Sequence, residues 1–302
     1  MKVILYTTFA LVAFAFNSIL CRLALRGDEA DAADFTAVRL VSGAVALIVI
    51  SYLATKGRNL SGSEGALNVA NTQAKNTLPT GRVSVLYGSW PSAFFLFAYA
   101  ICFSLAYLNL TAGTGALILF GSVQMTMIAV TLFRGERPRL LEWAGLMTAV
   151  GGLVYLVFPG LASPPLNSSL LMAVAGASWG FYTLRGKSSG DPLVNTTGNF
   201  VRTLPFAALA VLIFIPNLHL SNRGIILAVL SGSIASGIGY TVWYAALKHH
   251  SATRAAVLQL VVPVITASIG VLFLAETAAP RLLIAAALIL GGIGLTIFGR
   301  KA

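Results

Sequence analysis

Three apolar segments of the sequence carry aromatic side chains three or four residues apart, a spacing that places them on one face of a helix. These residues are Tyr99, Phe103 and Tyr107 in the first segment, Trp179 and Tyr182 in the second, and Tyr240, Trp243 and Tyr244 in the third. Gathered around a common axis, the three faces would wall a cavity for an apolar or aromatic ligand, and a ring face can also hold an ammonium group. The alternative is that each ring only packs, or lies in the aromatic belt of a membrane interface.

Three amide side chains lie in the middle of apolar segments: Asn17, Gln124 and Gln259. Each can donate and accept hydrogen bonds, as the carboxylate and ammonium of an amino acid would require. A hydrogen bond between two helices explains them equally well without any ligand. Both interpretations therefore stay open for these residues.

Two arginines, Arg39 and Arg202, fall near the beginnings of apolar segments. An ionisable residue inside a membrane span is a functional candidate by default, here for gating or for contact with a carboxylate. A long side chain this close to a span end can instead snorkel to water, and we prefer that interpretation for both.

Proline and glycine mark places where helices bend or pack closely. Pro263 lies in the middle of its apolar segment, where it would free a carbonyl and bend the helix, and we expect it to act as a hinge. Glycines of the fifth and tenth segments predict tight helix packing at a supporting face, and these are Gly145, Gly151, Gly152, Gly291, Gly292 and Gly294.

Composition restricts the class of protein. Apolar residues make up 57% of the chain and charged residues 10%, whereas a soluble domain has about 45–50% and 25%. The chain is therefore expected to be a polytopic membrane protein. Its net charge of +11 comes from residues in the breaks between apolar runs, where they set topology rather than bind nucleic acid. The two cysteines lie inside apolar runs and predict neither a disulfide framework nor a metal site.

Ten segments are close to the roughly 20 residues that a helix needs to cross a bilayer. They lie at about 3–22, 36–55, 86–108, 113–133, 140–158, 168–185, 195–215, 224–246, 254–274 and 282–299. Lys and Arg concentrate on one side of this arrangement, which should face the cytoplasm. We therefore expect both termini in the cytoplasm, and we interpret the polar, glycine-rich segment 56–84 as a flexible cytoplasmic loop.

The segment Thr111 to Phe158 resembles Ser251 to Phe298 at a constant offset of 140 positions, with Glu136 matching Glu276. This pattern predicts an internal duplication, with halves at 1–160 and 161–302. Because each half has five spans, the second half should enter the membrane upside down. Inverted repeats of this kind are a recurring plan of secondary transporters.

Several short pieces, in their order and spacing, resemble the drug/metabolite transporter superfamily, in particular its EamA-type ten-helix members. The pieces are Thr36 to Leu40, Trp179-Gly180, Tyr244 to Leu247, Leu258 through Pro263, Leu274 to Glu276, and Gly291 to Gly294. The first half departs from the pattern, since Phe14-Ala15 stands where Trp-Gly is commoner and Val123 stands at the position equivalent to Pro263. The most similar subgroup is that of the YddG-type exporters of aromatic amino acids. This resemblance implies outward movement of amino acids across a bacterial inner membrane.

The expected protein is an all-α membrane transporter that exports small amphiphilic metabolites, above all aromatic and other neutral amino acids, without any cofactor. No Asp or Glu lies well inside a predicted span, so we expect facilitated diffusion rather than exchange for a proton. The sequence contains no H-E-x-x-H motif and no intramembrane Ser–His pair, so it does not predict an enzyme. The alternatives are a nucleotide-sugar exchanger, which would need more basic residues near the midplane, and a receptor or structural subunit without transport. The sequence does not fix the exact substrate or the oligomeric state.

Overall fold

The structure is a computed structural model. It describes residues 2–65, 87–133, 139–158, 160, 163–186, 191–214, 219–250, 255, 258–277 and 279–299. These residues are almost entirely helical, and within them the sole β-type pairing is one isolated bridge between Ala30 and Leu220. The all-α class predicted from the sequence is confirmed for the described part of the chain. Glu136, the predicted counterpart of Glu276, lies outside these residues.

We number the helices in chain order. They are α1 (Lys2–Arg26), α2 (Ala32–Gly65), α3 (Trp90–Tyr107), α4 (Ala112–Phe133), α5 (Leu140–Val157), α6 (Leu166–Gly186), α7 (Pro192–Phe214), α8 (Asn222–Leu247), α9 (Val261–Leu274) and α10 (Pro280–Gly299). All but α6 and α9 are long and apolar enough to cross a membrane, and α9 is a shorter apolar helix. The prediction of ten spans in two inverted halves stays a prediction.

Large apolar side chains cover the outer faces of the helices. Phe273 is 80% exposed and Leu272 is 75% exposed. A protein in water does not present continuous apolar surface of this kind, whereas a bilayer solvates it. The outer surface therefore agrees with a multi-pass membrane protein.

The helices pack in a pattern that joins the two halves of the chain. Helix α2 packs on α7, α4 on α9, and α5 on α10, so each of these helices contacts the helix five places later in the chain. The remaining large contacts come in matched sets, since α3 and α4 pack on α6 while α8 and α9 pack on α1. Helices α5 and α10 form a pair beside this bundle, and the core lies between α1 to α4 and α6 to α9.

The predicted loop 56–84 begins later than the sequence suggested, because α2 continues to Gly65. Extending an existing helix needs no new nucleus, so the polar residues after Lys56 can join α2 in spite of their low helical propensity. The rest of the predicted loop, residues 66–84, lies outside the described residues.

Pro263 lies in the first turn of α9 and not in the middle of a continuous helix. Leu258 and Gln259 are helical, Leu260 forms a turn, and α9 begins at Val261. First-turn N–H groups have no partner within the helix, so the proline removes no helical hydrogen bond there. The hinge assigned to Pro263 would therefore depend on the break at Leu260 and not on a mid-helix kink.

Only some of the glycines in α5 and α10 lie at the contact between these helices. A Cβ on Gly145 would approach the Gly292 carbonyl oxygen to 2.5 Å, so these two backbones touch. Around Gly151, Gly291 and Gly294 no atom lies within 4 Å of such a Cβ. The predicted packing face is thus correct for one side of each helix and wrong for the other.

Candidate functional site: an aromatic cavity

A small cavity of about 10 Å³, with room for about one water molecule, lies in the core of the bundle. Its lining residues are Phe14, Asn17 and Ser18 from α1, Tyr99 and Phe103 from α3, Leu119 and Phe120 from α4, Trp179 from α6 and Tyr240 from α8. Helices of both halves of the chain thus contribute to one wall. Five of the ten residues predicted from the sequence to contact a ligand are in this lining: Asn17, Tyr99, Phe103, Trp179 and Tyr240.

Phe14 is the centre of the aromatic wall. Its ring makes edge-to-face contacts with Trp179, Tyr240 and Trp243, at centroid distances of 5.8, 5.8 and 5.7 Å. The rings of Trp179 and Tyr240 are also 4.5 Å apart, centroid to centroid. Each aromatic pair of this geometry contributes about 0.5–1.5 kcal/mol beyond its buried area. The wall is therefore a continuous aromatic cluster.

A chain of hydrogen bonds fixes the polar edge of the cavity. Asn17 donates from Nδ2 to the Tyr99 hydroxyl at 3.0 Å, and its Oδ1 accepts from Ser231 Oγ at 2.6 Å. The hydroxyls of Tyr99 and Tyr240 are 3.3 Å apart. Asn17 therefore makes hydrogen bonds between helices, as one of its two interpretations predicted. Its side chain also lines the cavity, as the ligand-binding interpretation requires.

Arg39 lies behind this polar edge and does not reach water. Its side chain is 1% exposed, and its Nη2 donates to the hydroxyls of Tyr240 at 2.9 Å and Tyr99 at 3.2 Å. Its Nε donates to Ser236 Oγ at 3.1 Å. The guanidinium carbon is also 5.2 Å from the ring centroids of Tyr99 and Phe103. The preferred interpretation of Arg39 as a snorkelling side chain is wrong.

The reason for this error is the position of the helix start. The sequence suggested a span from residue 36, which would place Arg39 in the first turn, but α2 begins at Ala32. Arg39 is then about two turns, or roughly 10 Å, inside the helix. Helices α3 and α8 cover it there.

A π-helical segment in α8 brings the site's serines to the same side as Tyr240. Ser231–Ile238 is wound as a π-helix, in which residues five apart are bonded along one side. Ser231 contacts Asn17, while Ser236, five residues later, contacts Arg39. Such segments are common at functional sites, and nothing in the apolar periodicity of the sequence indicated it.

The other predicted aromatic residues form a buried layer beside the cavity. Tyr182 is 5.5 Å from Trp179 and 6.0 Å from Tyr244, between ring centroids. Asn199 donates from Nδ2 to the Tyr182 hydroxyl at 3.4 Å. Trp243 is fully buried against Phe14. These residues support the lining and do not belong to it.

The two predicted glutamines and Arg202 are placed away from the cavity lining. Gln124 and Gln259 are both buried, and within the described structure Gln259 Oε1 has no hydrogen-bond partner. Arg202 donates from Nη1 to the carbonyls of Tyr87 and Gly198, the latter at 3.0 Å. Arg202 therefore ties α7 to the residues before α3.

Sequence inspection missed several lining residues: Phe14, Ser18, Leu119 and Phe120. A signal existed for the first two, because Phe14 lies three positions before Asn17 and four positions before Ser18, a spacing that makes Phe14 a neighbour of both on the surface of α1. Leu119 and Phe120 carried no such signal, since they belong to the uninterrupted apolar run 116–120 of α4.

An ion pair lies near the ends of α1 and α9. Arg22 Nε is 3.2 Å from Glu276 Oε1, and both side chains are mostly buried. Arg22 also donates from Nη1 to the carbonyl of Tyr107 at 2.9 Å, and Glu276 Oε2 accepts from the Ala112 N–H at 2.8 Å. The pair therefore joins α1 to the connection between α3 and α4 and to the connection between α9 and α10. Among the described residues, no group of His, Cys, Asp or Glu side chains could hold a metal ion.

Comparison with known proteins adds the following. Residues 166–298 match the EamA-like transporter family. The chain is 44% identical to the uncharacterized protein PA1977 of Pseudomonas aeruginosa over 299 residues, which cover 99% of this chain and 96% of that protein. It is 26% identical to a probable amino-acid metabolite efflux pump of Salmonella typhimurium, over 67% of this chain and 72% of the relative. A crystal structure at 19% identity covers 99% of both chains with a TM-score of 0.60, which is a likeness of fold.

Proposed function

The chain belongs to the EamA-like transporters of the drug/metabolite transporter superfamily, and on that basis we propose that it exports aromatic and other neutral amino acids. One observation carries the choice of substrate: a buried aromatic cavity whose wall combines helices of both halves of the chain. The rings suit an apolar side chain, and the hydroxyls and amide at the edge suit the charged groups of an amino acid. The name of the Salmonella relative supports amino-acid metabolites as the class.

Movement of a substrate requires the wall to open. The cavity, at about 10 Å³, has room for about one water molecule, far less than the roughly 300–1,000 Å³ of most small-molecule pockets. The Phe14 ring contacts three other rings across it. We propose that these rings separate on one side of the membrane at a time, as alternating access demands.

We also propose ten membrane spans arranged as two inverted halves, 1–160 and 161–302, in the bacterial inner membrane, with both termini in the cytoplasm. The reciprocal packing of the helices supports this plan, because an exchange of the two halves maps the α3–α6 contact onto the α8–α1 contact. The excess of Lys and Arg on the proposed cytoplasmic side supports the orientation. The hinge at Pro263 and the role of the segment 56–84 belong to the same proposal.

The alternatives can be ranked on the same contacts. A nucleotide-sugar exchanger needs several cations for its phosphates, and Arg39 is the cation that the described core places beside the cavity. A structural subunit would not need a cavity at the junction of two halves, and a receptor would bind ligand there without moving it across the membrane. Facilitated diffusion is preferred over proton exchange, because the described lining contains no carboxylate.

Counterflow in proteoliposomes tests the proposal. Vesicles with purified protein are loaded with unlabelled phenylalanine, and uptake of labelled phenylalanine is followed with and without a pH gradient. We expect uptake above that of protein-free vesicles, with no dependence on the gradient. Binding of phenylalanine without counterflow would instead indicate a receptor, and no response to any amino acid would refute the substrate class.

A further inference from the structure

Arg39 is a buried cation that contacts only neutral groups in the described part of the chain. They are the hydroxyls of Tyr99, Tyr240 and Ser236, and two aromatic ring faces. In the described part of the chain, the ion pairs are Arg22 with Glu276 and Arg223 with Glu29, and neither includes Arg39. A buried charge is strongly unfavourable unless a group of opposite sign or a full set of hydrogen bonds compensates it.

The hydrogen bonds of Arg39 are also incomplete. Its Nη1 is buried and has no hydrogen-bond partner within the described structure, although a guanidinium offers five donors in a planar fork. One side of the fork is therefore available to a further acceptor. A carboxylate is the acceptor that matches this fork in both charge and geometry.

The position of Arg39 connects this unused capacity to the cavity. Tyr99 and Tyr240 line the cavity, and their hydroxyls both accept from Arg39 Nη2. A hydroxyl that accepts from a cation becomes a stronger donor through its own O–H. The Tyr240 hydroxyl donates to the Tyr99 oxygen at 3.3 Å, so an anion that enters between these rings would first meet the polarised Tyr99 hydroxyl, with a positive charge directly behind it.

We propose that Arg39, together with the hydroxyls of Tyr99 and Tyr240, receives the carboxylate of the transported molecule. The inference rests on the proposed function and deepens it, because it makes a carboxylate the required part of the substrate and the ammonium dispensable. Organic acids with an apolar side chain, with or without an amino group, are then substrates. Amines of the same shape are excluded by the charge of Arg39.

Matched ligands separate these cases. The set built on phenylalanine is L-phenylalanine, 3-phenylpropionate, which lacks the ammonium, and phenethylamine, which lacks the carboxylate. The aliphatic set is leucine, 4-methylpentanoate and 3-methylbutylamine. Each compound competes with labelled phenylalanine or leucine for binding to the detergent-solubilised full-length protein. We expect each acid to compete within about tenfold of its amino acid, and each amine to be at least about tenfold weaker, as loss of a charge-assisted hydrogen bond implies.

Three variants assign the effect to the proposed groups. Arg39→Met should weaken binding of the acids by about tenfold or more and leave the amines unchanged, which removes the discrimination. Tyr240→Phe keeps the ring and should give a smaller loss in the same direction. Arg223→Met is the control, because the Arg223 side chain is 67% exposed in its pair with Glu29, and it should leave all affinities unchanged.

These measurements distinguish failure of the carboxylate site from failure of the proposed amino-acid export. Amines that bind as well as their amino acids would overturn the carboxylate site while amino-acid counterflow still stood. An unchanged acid-to-amine ratio in Arg39→Met would overturn the role of Arg39. If Arg39→Met does not fold, the wild-type ratio and Tyr240→Phe decide. Absence of binding by all six compounds would refute the substrate class and this inference together.

Discussion

Arg22 and Glu276 form an ion pair with an Nε–Oε1 distance of 3.2 Å, although 254 positions separate them in the chain. α9 ends with Ala275 in the left-handed region, at φ 50°, and the Glu276 N–H turns back to the Gly270 carbonyl at 3.1 Å. This reversal directs the carboxylate toward α1. The sequence identified Glu276 only as the counterpart of Glu136, and the structure shows which residue it binds.

Arg22→Ala should lower the stability of the protein markedly. The change leaves the Glu276 carboxylate in a mostly buried position without its cation, and loss of one partner from a buried pair costs about 3–5 kcal/mol. We expect a clear fall in the apparent melting temperature in detergent. The control is Arg223→Ala, since the side chain of Arg223 is 67% exposed in its pair with Glu29 and such pairs contribute about 1 kcal/mol or less. Equal effects of the two changes would contradict the structural role of the buried pair.

Phe14→Leu should alter substrate preference. The leucine removes three edge-to-face contacts and enlarges the cavity that Phe14 lines. We expect tryptophan to gain affinity relative to phenylalanine, measured by competition in the counterflow assay, with a stability loss of about 1–3 kcal/mol. Phe16→Leu serves as the control, because Phe16 is on the same helix but 45% exposed on its outer face. The same preference in both variants would show that Phe14 does not shape the binding cavity.

Gly232→Ala should separate α8 from α2. A Cβ at this position would lie 2.0 Å from the Arg39 carbonyl oxygen and 2.2 Å from Ser42 Oγ, so the two backbones must move apart. Overpacking of this kind costs about 1–3 kcal/mol or more, and it should also weaken substrate binding through Ser236 and Tyr240. Gly291→Ala, where the added Cβ meets no atom within 4 Å, should be neutral or stabilising by up to about 1 kcal/mol. Thermal unfolding of both variants in one detergent makes the comparison, and a harmless Gly232→Ala would disprove the close approach.

Asn17→Asp should reverse the charge preference of the cavity. The new carboxylate would lie next to the Tyr99 hydroxyl, which also accepts from Arg39, and would offset the positive charge there. We expect weaker competition by 3-phenylpropionate and stronger competition by phenethylamine, each by about tenfold. Asn109→Asp adds the same charge at an exposed position between α3 and α4 and should change neither value. An equal loss of affinity for 3-phenylpropionate and phenethylamine would mean that the variant damages the cavity without changing its charge preference.

Much of the fold followed from local patterns in the sequence. Apolar runs long enough to cross a bilayer predicted the helices, because lipid leaves the backbone no other way to satisfy its polar groups. The one-turn spacing of Tyr99 with Phe103 and the position of Trp179 predicted faces that the structure does bring together around a cavity. Ring spacing within a helix depends only on helical geometry, so such predictions need no knowledge of neighbouring helices.

The sequence did not predict the features that depend on which helices contact one another. The sequence alone could not decide whether Arg39 reaches water or lies in the core. Its burial depends on α3 and α8, which contribute its hydrogen-bond partners Tyr99 and Tyr240 from 60 and 201 positions away. The π-helical segment in α8 has the same origin, since the wider turn is retained where contacts to Asn17 and Arg39 hold Ser231 and Ser236 in place. Composition and periodicity therefore decided that this chain is a bundle of membrane helices with aromatic faces. Tertiary packing decided that those faces enclose one cavity with an uncompensated positive charge behind its wall, because burial and hydrogen bonding are properties of the assembled helices.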